Sequence, residues 1–270
     1  MRDLCQLLRE WPPGFGGVER VAHCLAQELG GTTFSLRVHV AQCDPLPVGY
    51  QRCCLVSMVF GRLLLPLPSL ALLNLLVSSR PLLAHLPCPT VFVLVLIARL
   101  LRPRRSISIY WHAFLAPRPG FRGWFEAGYQ WFALRLLRYF PVITTSPVLV
   151  QALRATGIPA SQLFCLPCVL PWATESLYES LWVQRERQQD DSARGTVIVV
   201  GRLDSYKRVD WLIKAFASTS AGRELLVVGD GPDRQRLELA VIRPRTGDEQ
   251  DLAPAVLVPR RQRRFLLGRQ

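Results

Sequence analysis

Thr196-Val-Ile-Val-Val-Gly-Arg-Leu-Asp-Ser-Tyr-Lys-Arg-Val-Asp-Trp-Leu-Ile-Lys-Ala-Phe216 is the stretch whose reading decides the fold class. Thr196–Val200 is apolar and β-branched without alternation, the composition of a strand buried on both faces. Gly201 ends the run. From Val209 to Ala217, apolar residues at 209, 212, 213 and 216 recur at helical spacing. A second apolar run, Leu225–Val228, follows. Gly229-Asp-Gly-Pro232 then turns the chain into another helix, Asp233 to Ala240. Strand, helix, strand in this order implies a βαβ unit and a parallel sheet.

The same rhythm runs upstream. Leu4–Leu8 reads as a strand and ends in a loop, Trp11-Pro-Pro-Gly-Phe-Gly-Gly17. A helix with Val18, Val21, Ala22, Leu25, Ala26 and Leu29 on one face follows, and Gly30-Gly31 stops it. Strands are expected at Leu36–Ala41, Leu82–Leu86, Ser106–Trp111, Val142–Thr145 and Gln162–Leu166. Helices are expected at Thr90–Leu101, Phe121–Tyr139 and from Pro147 to Ala155. Pro45 to Val77 is proline- and leucine-rich and yields no clear order. From Val169 to Arg194 the chain turns polar and reads as a linker. The expectation is therefore α/β, two Rossmann-like parallel-sheet domains, residues 1–170 and 171–270. Beyond Ile242 the βα rhythm fades into an arginine-rich tail. We expect two strands in the second domain, which makes it incomplete, and a truncated or frame-altered C-terminus; the alternative reading of this end is a natural basic tail.

At 270 residues the chain is long enough for one large domain or two modest ones. Half of it is apolar and a fifth charged, which excludes general disorder. The formal charge is +13, carried almost entirely by arginine, since Lys207 and Lys214 are the only lysines. Such a balance fits nucleic acid, anionic membranes or phosphorylated substrates. The arginines are dispersed and no nucleic-acid reader module appears, so a nucleic-acid partner is not expected. No secretory signal opens the sequence, and no apolar run is long enough to span a bilayer. Cys165-Leu-Pro-Cys168 lacks a second pair, so zinc is not expected. The eight cysteines read as small buried hydrophobes of a cytoplasmic protein.

Three places carry chemistry. Gly14-Phe-Gly16-Gly17 precedes a helix, where bare backbone and free N–H groups favour anionic oxygens, although a tight turn needs the same glycines. Arg202 and Lys207 flank the end of a buried strand and the start of a helix, the edge where open α/β sheets bind ligands. Two cations there suit a diphosphate; as plain surface charges they need no ligand. His112 ends the Ile109-Tyr-Trp-His112 strand, and His85 ends Leu82–Leu86. Each is either a site group or a structural histidine. Pro232 breaks the dinucleotide-binding glycine pattern, and no G-x-S-x-G supports a hydrolase.

Gly201-Arg-Leu-x-x-x-Lys207, its amphipathic helix and Val228-Gly-Asp-Gly-Pro232 resemble the donor domain of family-4 retaining glycosyltransferases of the GT-B fold. Gly16-Gly-Val-Glu-Arg20 is similar to that family's first glycine loop, and Ile109-Tyr-Trp-His112 to its active-site histidine strand. Thr144-Thr-Ser-Pro147 resembles the turn that follows. The resemblance covers about residues 4–238. Three features depart from it: Arg208 stands where glycine is frequent, Leu166-Pro-Cys-Val169 lacks the usual asparagine–glycine, and a pair of donor-binding glutamates is absent.

The resemblance implies transfer of a sugar from a nucleotide-diphosphate sugar to a hydroxyl of a polysaccharide or lipid-linked glycan. Arg202 and Lys207 then hold the diphosphate, Gly16 and Gly17 permit close backbone approach across an interdomain cleft, and His112 contacts the sugar. No cofactor or metal is expected beyond the donor substrate. The basic, leucine-rich N-terminal half has two readings, a peripheral contact with an anionic membrane at the cytoplasmic face or a solvated surface. The alternative function is a catalytically silent remnant that binds a nucleotide or a partner.

Overall fold

The structure, a computed structural model, describes residues 4–12, 16–38, 49–60, 63–116, 119–167, 196–218, 224–242 and 255–258. These fall into two compact units, one on each side of the Glu175–Ser176 boundary. The expected boundary at 170/171 and the polar linker lie outside the described residues.

The first unit is built on strands β1 (Cys5–Glu10), β2 (Thr32–Arg37), β3 (Gln51–Cys54), β6 (Leu82–Leu86), β7 (Ile107–Trp111), β8 (Val142–Thr144) and β9 (Leu163–Cys165). They form one parallel sheet in the order β3-β2-β1-β6-β7-β8-β9. Between β3 and β6 the chain makes an antiparallel hairpin, β4 (Ser57–Phe60) with β5 (Leu63–Pro66), and a helix, α2 (Leu70–Val77). This orders the stretch for which the sequence offers no pattern. The Ser69 hydroxyl accepts from the Leu72 N–H and starts α2. The remaining helices are α1 (Gly17–Leu29), α3 (Pro89–Leu101), α4 (Phe121–Leu137) and α5 (Pro147–Ala155).

Burial explains why the strands read as continuous apolar runs. Consecutive residues Cys5, Gln6, Leu7 and Leu8 are all buried, as is every residue of β6, because material covers both faces of the sheet. One core gathers Leu7, Ala84, Leu86, Ile109, Trp111 and Val142 with Val91 and Val95 of α3 and Leu137 of α4. Gly30 closes α1 with its N–H on the Ala26 carbonyl at 2.8 Å and a φ of 69°. At Gly31 a Cβ would overlap the Leu4 backbone, so the tight entry into β2 requires glycine.

That entry corrects the expected strand at Leu36–Ala41. The strand begins at Thr32, whose N–H bonds the Leu4 carbonyl at 2.9 Å. Thr32, Thr33 and Ser35 are polar but buried, which hides the strand from a hydrophobicity reading.

The second unit holds β10 (Thr196–Val200), β11 (Glu224–Val228) and β12 (Ala255–Val258), all parallel, with helices α6 (Val209–Ala217) and α7 (Arg234–Ile242). The expectation of two strands is corrected to three. Ala255-Val-Leu-Val258 is short and sits in an arginine-rich tail, where its apolar character is easily missed. Leu225, Val227, Ile213, Phe216 and Leu237 form a separate core. Ile198 and Val200 are exposed, so β10 is not covered on both faces as expected.

The cysteine expectation is also corrected. Cys5 and Cys88 are buried, Cys24, Cys53 and Cys54 are half-buried, and Cys165 is exposed. Cys43 and Cys168 lie outside the described residues. No helix among the described residues is long and apolar enough to cross a membrane.

Candidate functional site

In the first sheet β2 and β3 run outward from one side of β1, while β6 and its successors run outward from the other. The strand order therefore reverses between β1 and β6, and ligands of open parallel sheets bind outside the carboxyl ends at such a reversal. Gly16 and Gly17 follow β1 there, and His112 directly follows β7, its N–H bonded to the Leu86 carbonyl at 2.9 Å.

His112 is joined to two other side chains. Its Nε2 lies 2.9 Å from His85 Nδ1. His85 Nε2 lies 2.9 Å from Gln6 Oε1. The Gln6 amide then donates to the Ala22 carbonyl of α1 at 3.1 Å. Tyr110 stacks on the His112 ring with centroids 4.4 Å apart and planes 11° from parallel. Its hydroxyl donates to the Leu166 carbonyl at 2.9 Å, which holds the stacking ring in place.

Both imidazoles are neutral at pH 7. Burial pushes the half-buried His112 ring down to about 4. His85 is fully buried and lies well below the usual histidine range, first through loss of solvation and then through the adjacent His112. A neutral ring at this edge donates and accepts hydrogen bonds but carries no charge to a phosphate.

Gln6 was missed by sequence reasoning. The available signal was a lone amide inside an apolar strand covered on both faces, since a buried amide demands partners.

At the start of α1, Gly16 is the N-cap and Gly17 the first helical residue. Both are exposed, and a Cβ at Gly17 would meet open space. The Glu19 carboxylate folds back and accepts hydrogen bonds from its own and the Gly16 backbone N–H, the acidic half of a capping box. Burial raises the Glu19 carboxyl above its ordinary value, and these backbone bonds oppose the rise. The anion-favouring end of α1 thus already faces a carboxylate of the chain itself.

In the second unit the two glycine-bearing loops interlock. Gly201 N–H donates to the Val228 carbonyl and Leu203 N–H to the Asp230 carbonyl, each at 3.0 Å. A Cβ at Gly229 would overlap the Gly201 carbonyl, and one at Gly231 the Leu203 carbonyl. Val228-Gly-Asp-Gly-Pro232 therefore has a structural reason for its glycines, close backbone packing beneath the Gly201–Leu203 loop.

Arg202 and Lys207 both lie on the segment between β10 and α6, at the carboxyl end of the sheet. The Arg202 side chain is 69% exposed, with Nε 3.9 Å from an Asp204 carboxylate oxygen. Lys207 is exposed on a short 3-10 turn, its ammonium 5.3 Å from the Tyr206 ring centroid. Arg208 follows at a φ of 53°, the left-handed conformation that favours glycine, with its guanidinium 4.3 Å over the Trp211 ring. The structure brings Arg202 and Lys207 onto one loop of the second unit, and Gly16, Gly17 and His112 onto one sheet edge of the first.

Solved structures share this architecture. Anabaena HepE, solved in complex with UDP and glucose, superposes with a TM-score of 0.64 at 16% identity, over 96% of this chain and 69% of that one. A glycosyltransferase from Rickettsia africae gives 0.60 at 14% identity, over 95% and 67%. The lipopolysaccharide outer core galactosyltransferase WaaB gives 0.54 at 15%, over 95% and 68%. The fold is of the GT-B type. No family model matches the sequence, and no curated protein sequence matches it. The GT-B likeness, at these identities, is one of fold, and it agrees with the fold that the glycine-loop and histidine-strand resemblances imply.

Proposed function

We propose that this chain is a retaining glycosyltransferase of the family-4 kind, taking a hexose from a nucleoside-diphosphate sugar and passing it to an acceptor hydroxyl. The observation that carries this reading is His112, a neutral, half-buried imidazole at the carboxyl edge of a GT-B sheet, one strand from the β1–β6 reversal and linked to it through His85 and Gln6. Such a ring recognises hydroxyl groups, the substituents of a sugar.

In this reading His112 hydrogen-bonds a donor-sugar hydroxyl. Gly16 and Gly17 keep side chains away from the start of α1 so that the donor approaches the backbone. Arg202 and Lys207 hold the diphosphate, and neither is locked in a close ion pair among the described residues. Each charge-assisted hydrogen bond from them contributes roughly 1.5–3 kcal/mol. The bond from the anomeric carbon to the diphosphate oxygen breaks as the acceptor oxygen bonds to that carbon on the same face. The acceptor hydroxyl gives its proton to the departing diphosphate oxygen, and the two cations neutralise the remaining charge on the nucleotide.

The acceptor in this proposal is a polysaccharide or lipid-linked glycan, met at the cytoplasmic membrane surface. Exposed Phe121, Trp124 and Phe125 on α4 and the arginine excess of the chain favour that location.

The test is calorimetric titration of UDP, GDP, UDP-glucose and GDP-mannose against the wild type and the Arg202→Ala/Lys207→Ala double variant, with transfer and donor-hydrolysis assays. The expected result is diphosphate binding that drops at least tenfold in the double variant. Binding unchanged by the substitutions removes the diphosphate assignment.

A further inference from the structure

The three side chains that end at His112 have a direction. The Ala22 carbonyl only accepts, so the Gln6 atom facing it is the amide nitrogen. That leaves Gln6 Oε1, also purely an acceptor, facing His85 Nε2, which must carry a proton. A neutral imidazole has one N–H, so His85 Nδ1 is bare and accepts from His112 Nε2. His112, neutral in turn, is left with its lone pair on Nδ1. His112 Nδ1 makes no hydrogen bond among the described residues.

We propose that Gln6 and His85 are positioning residues that hold His112 as its Nε2–H tautomer, so that Nδ1 is kept as the ring's acceptor for a ligand hydroxyl. The inference rests on the sugar-binding reading of His112 for its ligand, but the tautomer itself does not.

The chain begins in α1 and crosses the reversal point of the sheet from β1 to β6 before it reaches β7. Its anchor is a main-chain carbonyl within a helix, which neither titrates nor rotates. The consequence is chemical selectivity. A ring that presents only an acceptor pairs with an O–H donor and repels the lone pairs of a phosphate oxygen. A histidine free to exchange tautomers serves either. Among the described residues, the side chains that hydrogen-bond to or stack on the two rings are the Gln6 amide from β1 and the Tyr110 phenol from β7. Burial holds both rings neutral, so each carries a single N–H.

The test is long-range proton–nitrogen correlation spectroscopy on the full 270-residue chain labelled with 15N-histidine, at pH 7. In the wild type both His85 and His112 are expected as Nε2–H tautomers. A proton on His112 Nδ1 overturns the proposal with no variant needed. In Gln6→Met the acceptor for His85 is gone, and both rings are expected to populate two tautomers while His23 is unchanged. His112 signals identical to wild type in that variant overturn the role of Gln6. Should Gln6→Met fail to fold, His85→Phe keeps the ring volume and removes the acceptor of His112 Nε2–H, and the same loss of a single tautomer is expected. Addition of UDP-glucose, but not UDP, is expected to move the His112 Nδ1 resonance without changing the tautomer. A fixed tautomer with no response to UDP-glucose supports the relay and overturns the sugar-binding reading instead.

Discussion

The backbone at Gly229 passes so close to Gly201 that a Cβ on Gly229 would overlap the Gly201 carbonyl oxygen. The two residues end neighbouring parallel strands, and the same contact repeats at Gly231 and Leu203. Replacing Gly229 with alanine forces these loops apart and strains the bonds Gly201 N–H to Val228 and Leu203 N–H to Asp230. We predict a loss of about 2 kcal/mol for Gly229→Ala. Gly17→Ala, where the Cβ meets open space at a helix start, is expected to be neutral or to gain about 0.5 kcal/mol. Urea unfolding of the two variants beside the wild type is the measurement, and equal stabilities would refute the packing argument.

Arg208 holds a left-handed conformation that costs a side-chain-bearing residue about 1–2 kcal/mol. Its stacking on Trp211 returns about 0.5–1 kcal/mol. Glycine removes the strain and loses the stack, and its greater unfolded-state freedom takes back part of the gain. We predict Arg208→Gly to be as stable as wild type or up to about 1 kcal/mol more so. Arg208→Ala keeps the strain, loses the stack and should be the least stable of the three. The order of thermal midpoints decides this.

Acid should weaken the first unit through His112 and His85. Both have depressed values when folded, so between the folded and unfolded values the unfolded chain binds more protons. Stability is then fully present above the unfolded value of about 6.5 and is lost as pH falls toward the folded value. With His112 pushed down to about 4, the loss from this residue alone between pH 7 and pH 5 is about 2 kcal/mol. In His112→Asn that acid limb should be correspondingly shallower, as read by denaturant unfolding at the two pH values. An unchanged limb would mean that the ring is solvated.

Glu19 occupies the end of α1 that the proposed donor approaches. Removing its charge in Glu19→Gln should raise affinity for UDP by about two- to fivefold, since one carboxylate at a helix N-terminus interacts at about 0.3–1 kcal/mol. Calorimetry at low salt reads the change. A fall in affinity would show that the diphosphate does not come to this helix.

Much of the architecture was legible because it rests on local periodicity. β6, α5 and α6 fall on the residues the pattern predicts, since a strand covered on both faces must be apolar throughout and a helix on a sheet must carry a stripe. β10 also falls where its β-branched run predicts, although one of its faces is exposed. The reading failed where that link breaks. β2 buries Thr32, Thr33 and Ser35, while β4 exposes Met58, Val59 and Phe60 and β5 exposes Leu63 and Leu65, so hydrophobicity points the wrong way in all three. Arg202 and Lys207 were legible as a loop at a strand end, and His112 as a strand-end histidine.

Residue order along the chain determines the alternation of strands and helices, the glycine turns and the excess of arginine, because each depends on neighbours within a few positions. The meeting of Gln6 with His85, 79 residues apart, depends on something else. It requires β1 to lie beside β6 rather than beside any other strand, in the register that sets Gln6 against Leu83, and β7 to align Tyr110 with His85. Parallel strands are joined by crossovers that leave neighbour and register open, and only the packed sheet selects them. The side-chain relay to His112, with the proton positions it imposes, is therefore a product of tertiary structure.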